Sequence, residues 1–158
     1  MLRLADNANT KKLLAAVWFA AFALIASGLF FLHPPMAFAA VVLYVLLPGL
    51  SAGIAAYIWG GAILDSSVLK SYPDCLLRGL GITLAAYGIF SILFAVGVTV
   101  SEKLWNVRQL PSLVVMTITL GFVMVGPFML LAGALAALSL RRLRDYAFGK
   151  NAIAGKRQ

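Results

Sequence analysis

From position 13 to position 64 the chain carries no Asp, Glu, Lys or Arg, a run of 52 residues punctuated near its middle by His33, Pro34 and Pro35. A helix crosses a hydrocarbon layer of ~30 Å with about 20 apolar residues, so this run is long enough for two crossings. The adjacent prolines mark the turn between them, and the run reads as helices over 13–32 and 36–64. A polar connector over 65–78, with Ser66, Ser67, Lys70, Ser71, Pro73 and Asp74, reads as a loop. Two further uncharged stretches, 79–100 and 112–140, supply a third and a fourth helix on either side of the segment 101–111.

The expected fold class is therefore all-α: a polytopic membrane protein with four transmembrane helices. A transmembrane domain over 13–140 lies between an amino-terminal segment, 1–12, and a basic tail, 141–158. Composition agrees, with 63% apolar residues, 11% charged ones and a mean hydropathy of +0.98. A water-soluble domain of this length needs far more charged surface than that. A cleaved signal peptide ending near Ala37 and Ala39 fits less well, because its apolar core should span ~7–15 residues rather than the twenty seen here.

Cations flanking the helices set orientation. Arg3, Lys11 and Lys12, Lys70 and Arg78, and Arg141, Arg142, Arg144, Lys150, Lys156 and Arg157 fall on one side, eleven in all, against Lys103 and Arg108 on the other. The bias predicts both termini on the cytoplasmic side, as in a multi-pass protein of a bacterial inner (plasma) membrane.

The second and fourth helices exceed one crossing, since 29 residues rise ~43 Å. Each has a central proline next to glycine, Pro48 with Gly49 and Pro127 with Gly126, and a kink is expected at both prolines. Interrupted helices at corresponding places point to a transporter's binding site; prolines also occur in membrane helices for packing alone. Small residues crowd the same helices. Gly49 and Gly53 form a GxxxG, and Ala132 with Ala136 and Gly133 with Ala137 form small-xxx-small pairs, the pattern that lets membrane helices approach closely.

No ionisable residue lies inside any span, which argues against proton relays and ion pathways. Haem ligation needs paired histidines and only His33 is present; Cys75 is the sole cysteine, so thiol oxidoreduction is excluded. His33 reads as a solvated turn residue. Asp65, Asp74 and Glu102 sit in connectors without a convergent partner. No catalytic, cofactor-binding or metal-binding residues are assigned, and no enzyme activity is expected. Aromatic residues read as interface anchors and lipid contacts.

Two functions remain. The first is a non-enzymatic scaffolding or accessory subunit, packing through its Gly/Ala faces against itself or other membrane subunits, with Arg141, Arg142, Arg144, Lys150, Lys156 and Arg157 meeting anionic headgroups or a partner. The second is a small carrier or pore for an uncharged or lipid-linked substrate, built around Tyr44, Ser51, Tyr57, Thr117 and Thr119. Nucleic acid is not an expected partner, because the net charge of +8 sits at helix ends rather than on a soluble face.

Overall fold

The computed structural model describes residues 8–31, 41–65, 71–101 and 110–154. His33, Lys70, Lys103, Trp105, Arg108, Lys156 and Arg157 lie outside the described residues. Among the described residues, four helices are long and apolar enough to cross a membrane. Helix α1 is Ala8–Phe31 and α2 is Leu47–Trp59, entered through a π-helical turn, Val42–Leu46, and left through a 3-10 turn, Gly60–Ile63. Helices α3, Tyr72–Ser101, and α4, Leu110–Ala154, complete the chain.

Three helix ends differ from those read off the apolar runs. Helix α1 begins at Ala8, five residues before the uncharged run, because Thr10, Lys11 and Lys12 oppose membrane burial but not helix formation. Helix α3 begins at Tyr72, inside the connector read as a loop. Its start has a physical signal: Ser71 Oγ accepts the main-chain N–H of Asp74 at 3.2 Å and the Ser71 hydroxyl donates to the Asp74 carboxylate. Ser71 thus caps the helix through its side chain, with proline in the first turn. Helix α4 runs on to Ala154, through the arginines at 141, 142 and 144. Its 45 residues span about 68 Å, roughly twice the hydrocarbon thickness and more than one crossing needs.

Both central prolines sit within helical backbone. Pro48 lies in the first turn of α2, directly after the π-helical turn in which Leu47 N–H bonds the carbonyl of Val42, five residues back. A proline lacks the N–H and crowds the preceding turn, and widening that turn by one residue relieves the crowding. Pro127 is carried inside α4.

Each helix touches two neighbours: α1 packs on α2 and α4, and α3 packs on α2 and α4, giving a four-membered ring. The core is concentrated toward one end of that ring. Ala15 and Phe19, Ala52, Ala55, Ala56 and Ile63, Cys75, Ile82 and Ala86, and Ala136, Ala137 and Leu140 form one buried cluster. Seven of these are alanines, and the helices close tightly there because little side chain separates them. Buried hydroxyls are satisfied locally: Ser51 Oγ donates to Leu47 O, Ser91 Oγ to Tyr87 O and Thr99 Oγ1 to Ala95 O.

The small-residue motifs serve this packing. A Cβ on Gly49 would meet the Leu24 side chain of α1 at 2.6 Å, and one on Gly53 would sit 3.5 Å from Ala20 Cβ. Gly60 lies against Ala15, and Gly79 of α3 would place a Cβ 2.5 Å from Ala137 Cβ and 3.0 Å from Gly133 O. Ala136 is fully buried and Ala132 faces the bundle interior. The Gly49/Gly53 face is thus occupied by α1, and the Gly133/Ala137 face by α3.

The opposite end is looser. No residue of α4 between 110 and 125 is buried, although the same helix contributes Gly126, Gly133, Ala136 and Ala137 to buried positions further along. The bundle is closed at the end bearing the 3-10 turn of α2 and opens toward the other.

Candidate functional site: an apolar cavity within the bundle

The opening of the bundle leaves a cavity of about 450 Å³ to which all four helices contribute. Phe19, Phe22 and Ala23 come from α1, Tyr44 and Pro48 from the π-helical turn and the start of α2, and Tyr87, Phe90 and Phe94 from α3. Met116, Thr117, Leu120, Gly121, Met124 and Met129 come from α4. Among the described residues, no Asp, Glu, Lys, Arg or His lines it. Its size falls in the range of small-molecule sites, ~300–1,000 Å³, and apolar walls with few polar groups are the usual composition of such sites.

The α3 wall is aromatic because Tyr87, Phe90 and Phe94 recur at helical spacing on one face. Their rings run in series. Tyr87 and Phe90 centroids are 6.2 Å apart, Phe90 and Phe94 5.6 Å, and Phe94 reaches Tyr44 of the π-helical turn at 5.7 Å. Phe122 of α4 meets the Tyr87 ring edge-on at 6.1 Å. Such pairs favour tilted and edge-on geometries, which makes the wall stiff. The α4 wall is softer, being rich in methionine. Met116, Leu120 and Met124 line the cavity and are also more than half exposed, so the cavity is accessible from outside the bundle along α4.

The hydroxyls of Thr83, Thr117 and Tyr87 in the lining are hydrogen-bonded to main-chain carbonyls. Thr83 Oγ1 donates to Gly79 O at 2.9 Å and Thr117 Oγ1 to Leu113 O at 2.8 Å, each returning its hydroxyl to its own helix. Tyr87 crosses between helices: its hydroxyl donates to Thr117 O at 2.9 Å and leans toward Ile118 O at 3.4 Å. The glycine at 121 permits this reach, since a Cβ there would occupy the place of the Tyr87 hydroxyl. At the closed end Trp18 Nε1 donates to Ser139 Oγ at 3.0 Å and ties α1 to α4.

Of the five residues named for a carrier, Tyr44 and Thr117 line the cavity. Ser51 is buried with its hydroxyl on Leu47 O, Tyr57 is exposed, and Thr119 is exposed with its hydroxyl on Val115 O. The phenyl rings at 19, 22, 90 and 94 were not singled out by sequence reasoning, which assigned phenylalanines to lipid contact. Their spacing on α1 and α3 was the available signal, and it does not separate an inner from an outer face when both faces are apolar.

The basic end is a second constellation. Arg141 and Arg144 are 7% and 6% exposed and fold onto the closed end of the bundle. Arg144 donates from Nη1 to Ile63 O at 3.1 Å, and from Nε and Nη2 to Asp145 Oδ1 at 2.9 and 2.7 Å. Arg141 lies 3.8 Å over the Tyr72 ring centroid, with its Nε 3.7 Å from Asp145 Oδ2. Arg78 Nε donates to Trp59 O at 3.1 Å. Two carbonyls at the end of the second span are therefore capped by guanidinium groups from α3 and α4. Arg142 is exposed, and Lys150 lies in the last turns of α4. Among the described residues no group of three or more His, Cys, Asp or Glu side chains is placed to hold a metal.

No family model, no curated protein and no solved structure matches this chain. The reading of its function rests on the cavity.

Proposed function

We propose that this chain is a non-enzymatic multi-pass membrane protein that holds an uncharged, lipid-derived molecule within its helix bundle, acting as a small carrier. The observation that carries the reading is the 450 Å³ apolar cavity, lined among the described residues by no Asp, Glu, Lys, Arg or His and reachable along the exposed methionine side of α4. An ionic substrate would lose its hydration there without compensation. A hydrocarbon chain loses nothing, and it reaches such a cavity from the bilayer along the exposed side of α4 that bears Met116, Leu120 and Met124.

In this reading the prolines are the points at which the walls adjust. Pro48 lines the cavity next to the widened turn, and Pro127 lies between Met124 and Met129 on α4. Kinking at these two positions would change the cavity's width while the alanine-rich end stays shut.

Labelling with a photoreactive long-chain hydrocarbon in proteoliposomes tests the assignment. Crosslinks are expected at Phe22, Met116 and Met124, and replacing Ala23 by Phe, which fills the cavity from α1, should reduce them at least about fivefold while the protein elutes as before from a sizing column. Uniform labelling of all lipid-facing side chains, unchanged by Ala23→Phe, would exclude a binding cavity.

A second reading, an accessory subunit, is favoured by one observation: exposed Val115, Met116, Val123, Met124, Phe128 and Leu131 run along α4 with little of the bundle against them. Another membrane subunit or a second copy would cover that stripe. The Gly/Ala pairs would then act inside the subunit and the stripe between subunits. Purification as a stable complex would support it, and a lipid-loaded monomer would support the carrier.

We further propose that both termini face the cytoplasm of a bacterial inner membrane, with the closed end of the bundle inside. The eleven-to-two distribution of cations supports this, as does the gathering of Arg78, Arg141 and Arg144 at one end. Arg142 and the distal cations Lys150, Lys156 and Arg157 are then available to anionic headgroups. A single cysteine introduced at Arg142 in a Cys75→Ala background should react with an impermeant maleimide only in inverted vesicles, and one at Trp105 only in right-side-out ones. The reverse pattern would invert the proposed orientation.

A further inference from the structure

We infer that the molecule held in the cavity carries a neutral oxygen-bearing group and that Tyr87 recognises it. The inference rests on the binding reading above and names the chemistry of the ligand's polar end. Tyr87 is in the lining, and its hydroxyl crosses from α3 to the carbonyls of Thr117 and Ile118 on α4. Those carbonyls lie inside a continuous helix, where the main-chain N–H four residues on serves them as well. The hydroxyl can therefore turn to a ligand without orphaning its present acceptors, a buried loss that would otherwise oppose binding.

The threonine hydroxyls of the lining, unlike that of Tyr87, bond within their own helices. Those of Thr83 and Thr117 are held at 2.9 and 2.8 Å by the preceding turns of their own helices. A phenol both donates and accepts, so a ketone, ester, ether or alcohol oxygen all satisfy it, whereas a bare hydrocarbon does not. The stacked rings of Phe90 and Phe94 continue away from Tyr87 toward Tyr44, giving the apolar remainder of the ligand a wall to lie on. The arrangement fits a neutral lipid-like chain with one oxygen function near the Tyr87 end.

The test uses two diazirine probes of equal chain length, a long-chain methyl ketone and the matching hydrocarbon, with the full-length protein in proteoliposomes. In the unmodified protein the ketone should label cavity residues about three- to tenfold more than the hydrocarbon, the value of one net hydrogen bond. Tyr87→Phe keeps the ring and should bring the ketone down to the hydrocarbon's level. Gly121→Ala, which displaces the hydroxyl by filling its place, should do the same and guards against misfolding of either variant. Equal labelling by both probes in the unmodified protein, or a ketone preference that survives both substitutions, would overturn the role of Tyr87 while leaving cavity binding intact. Absence of cavity labelling by either probe would remove the underlying reading itself.

Discussion

Leucine in place of Gly79 is expected to unfold the closed end of the bundle, lowering stability by about 3 kcal/mol, the upper part of the usual range for overpacking. The first added carbon would already stand 2.5 Å from Ala137 Cβ and 3.0 Å from the main-chain oxygen of Gly133. The second contact is backbone, so it cannot be relieved by a rotamer change. Helices α3 and α4 must separate, and with them the cluster formed by Cys75, Ala136, Ala137 and Leu140. Cys75 Sγ, 3.4 Å from Ala137 O, reports the same contact. Gly81 is the internal control: it lies two residues along the same helix with nothing within 4 Å of an added Cβ. Gly81→Leu should stay within about 0.5 kcal/mol of the unmodified protein. Unfolding titrations in mixed micelles measure both, and equal effects at the two positions would mean that α3 and α4 do not cross where the structure has them.

Charge and hydropathy alone carried the four helices, because a spanning segment must satisfy its backbone internally and exclude ions over about twenty residues. The ends were less legible. A hydropathy run marks where lipid begins, whereas a helix ends where capping fails, and Ser71 with Asp74 starts α3 seven residues before its uncharged run. The glycine and alanine motifs were visible as packing signals but not their partners. Gly49 and Gly53 meet α1 within the chain, and a GxxxG spacing is the same whether the neighbouring helix belongs to one molecule or two. The cavity was the least legible feature. It lies where α4, tightly packed from Gly133 to Leu140, has no buried residue between 110 and 125, and no sequence motif marks that change along the helix. Tyr44 and Thr117 were flagged because a polar atom in an apolar span stands out. Phe90 and Phe94 were not, because nothing local distinguishes a ring facing a cavity from one facing lipid.

The arginines at the start of the tail give the other large expected effect. In the sequence they read as a stop signal, and a stop signal needs only charge; in the structure Arg144 is 6% exposed and makes three hydrogen bonds to two separate groups. One of these goes to Ile63 O, the carbonyl of the last residue in the 3-10 turn that ends the second span. Arg144→Gln should therefore cost about 2–3 kcal/mol, because it leaves that carbonyl and the Asp145 carboxylate without their planar donor. Arg142→Gln removes an equal charge from an exposed position and should cost less than about 0.5 kcal/mol. Asp145→Asn separates the two parts of the contact: it weakens the pair but keeps the Arg144 bond to Ile63, so its cost should fall well below that of Arg144→Gln. Arg144→Lys should recover only a fraction, since an ammonium cannot direct two N–H groups to Asp145 Oδ1 while reaching Ile63 O. If Arg142→Gln and Arg144→Gln proved equivalent in stability, the tail would act through its charge alone, and the guanidinium cap on the second span would have no energetic role.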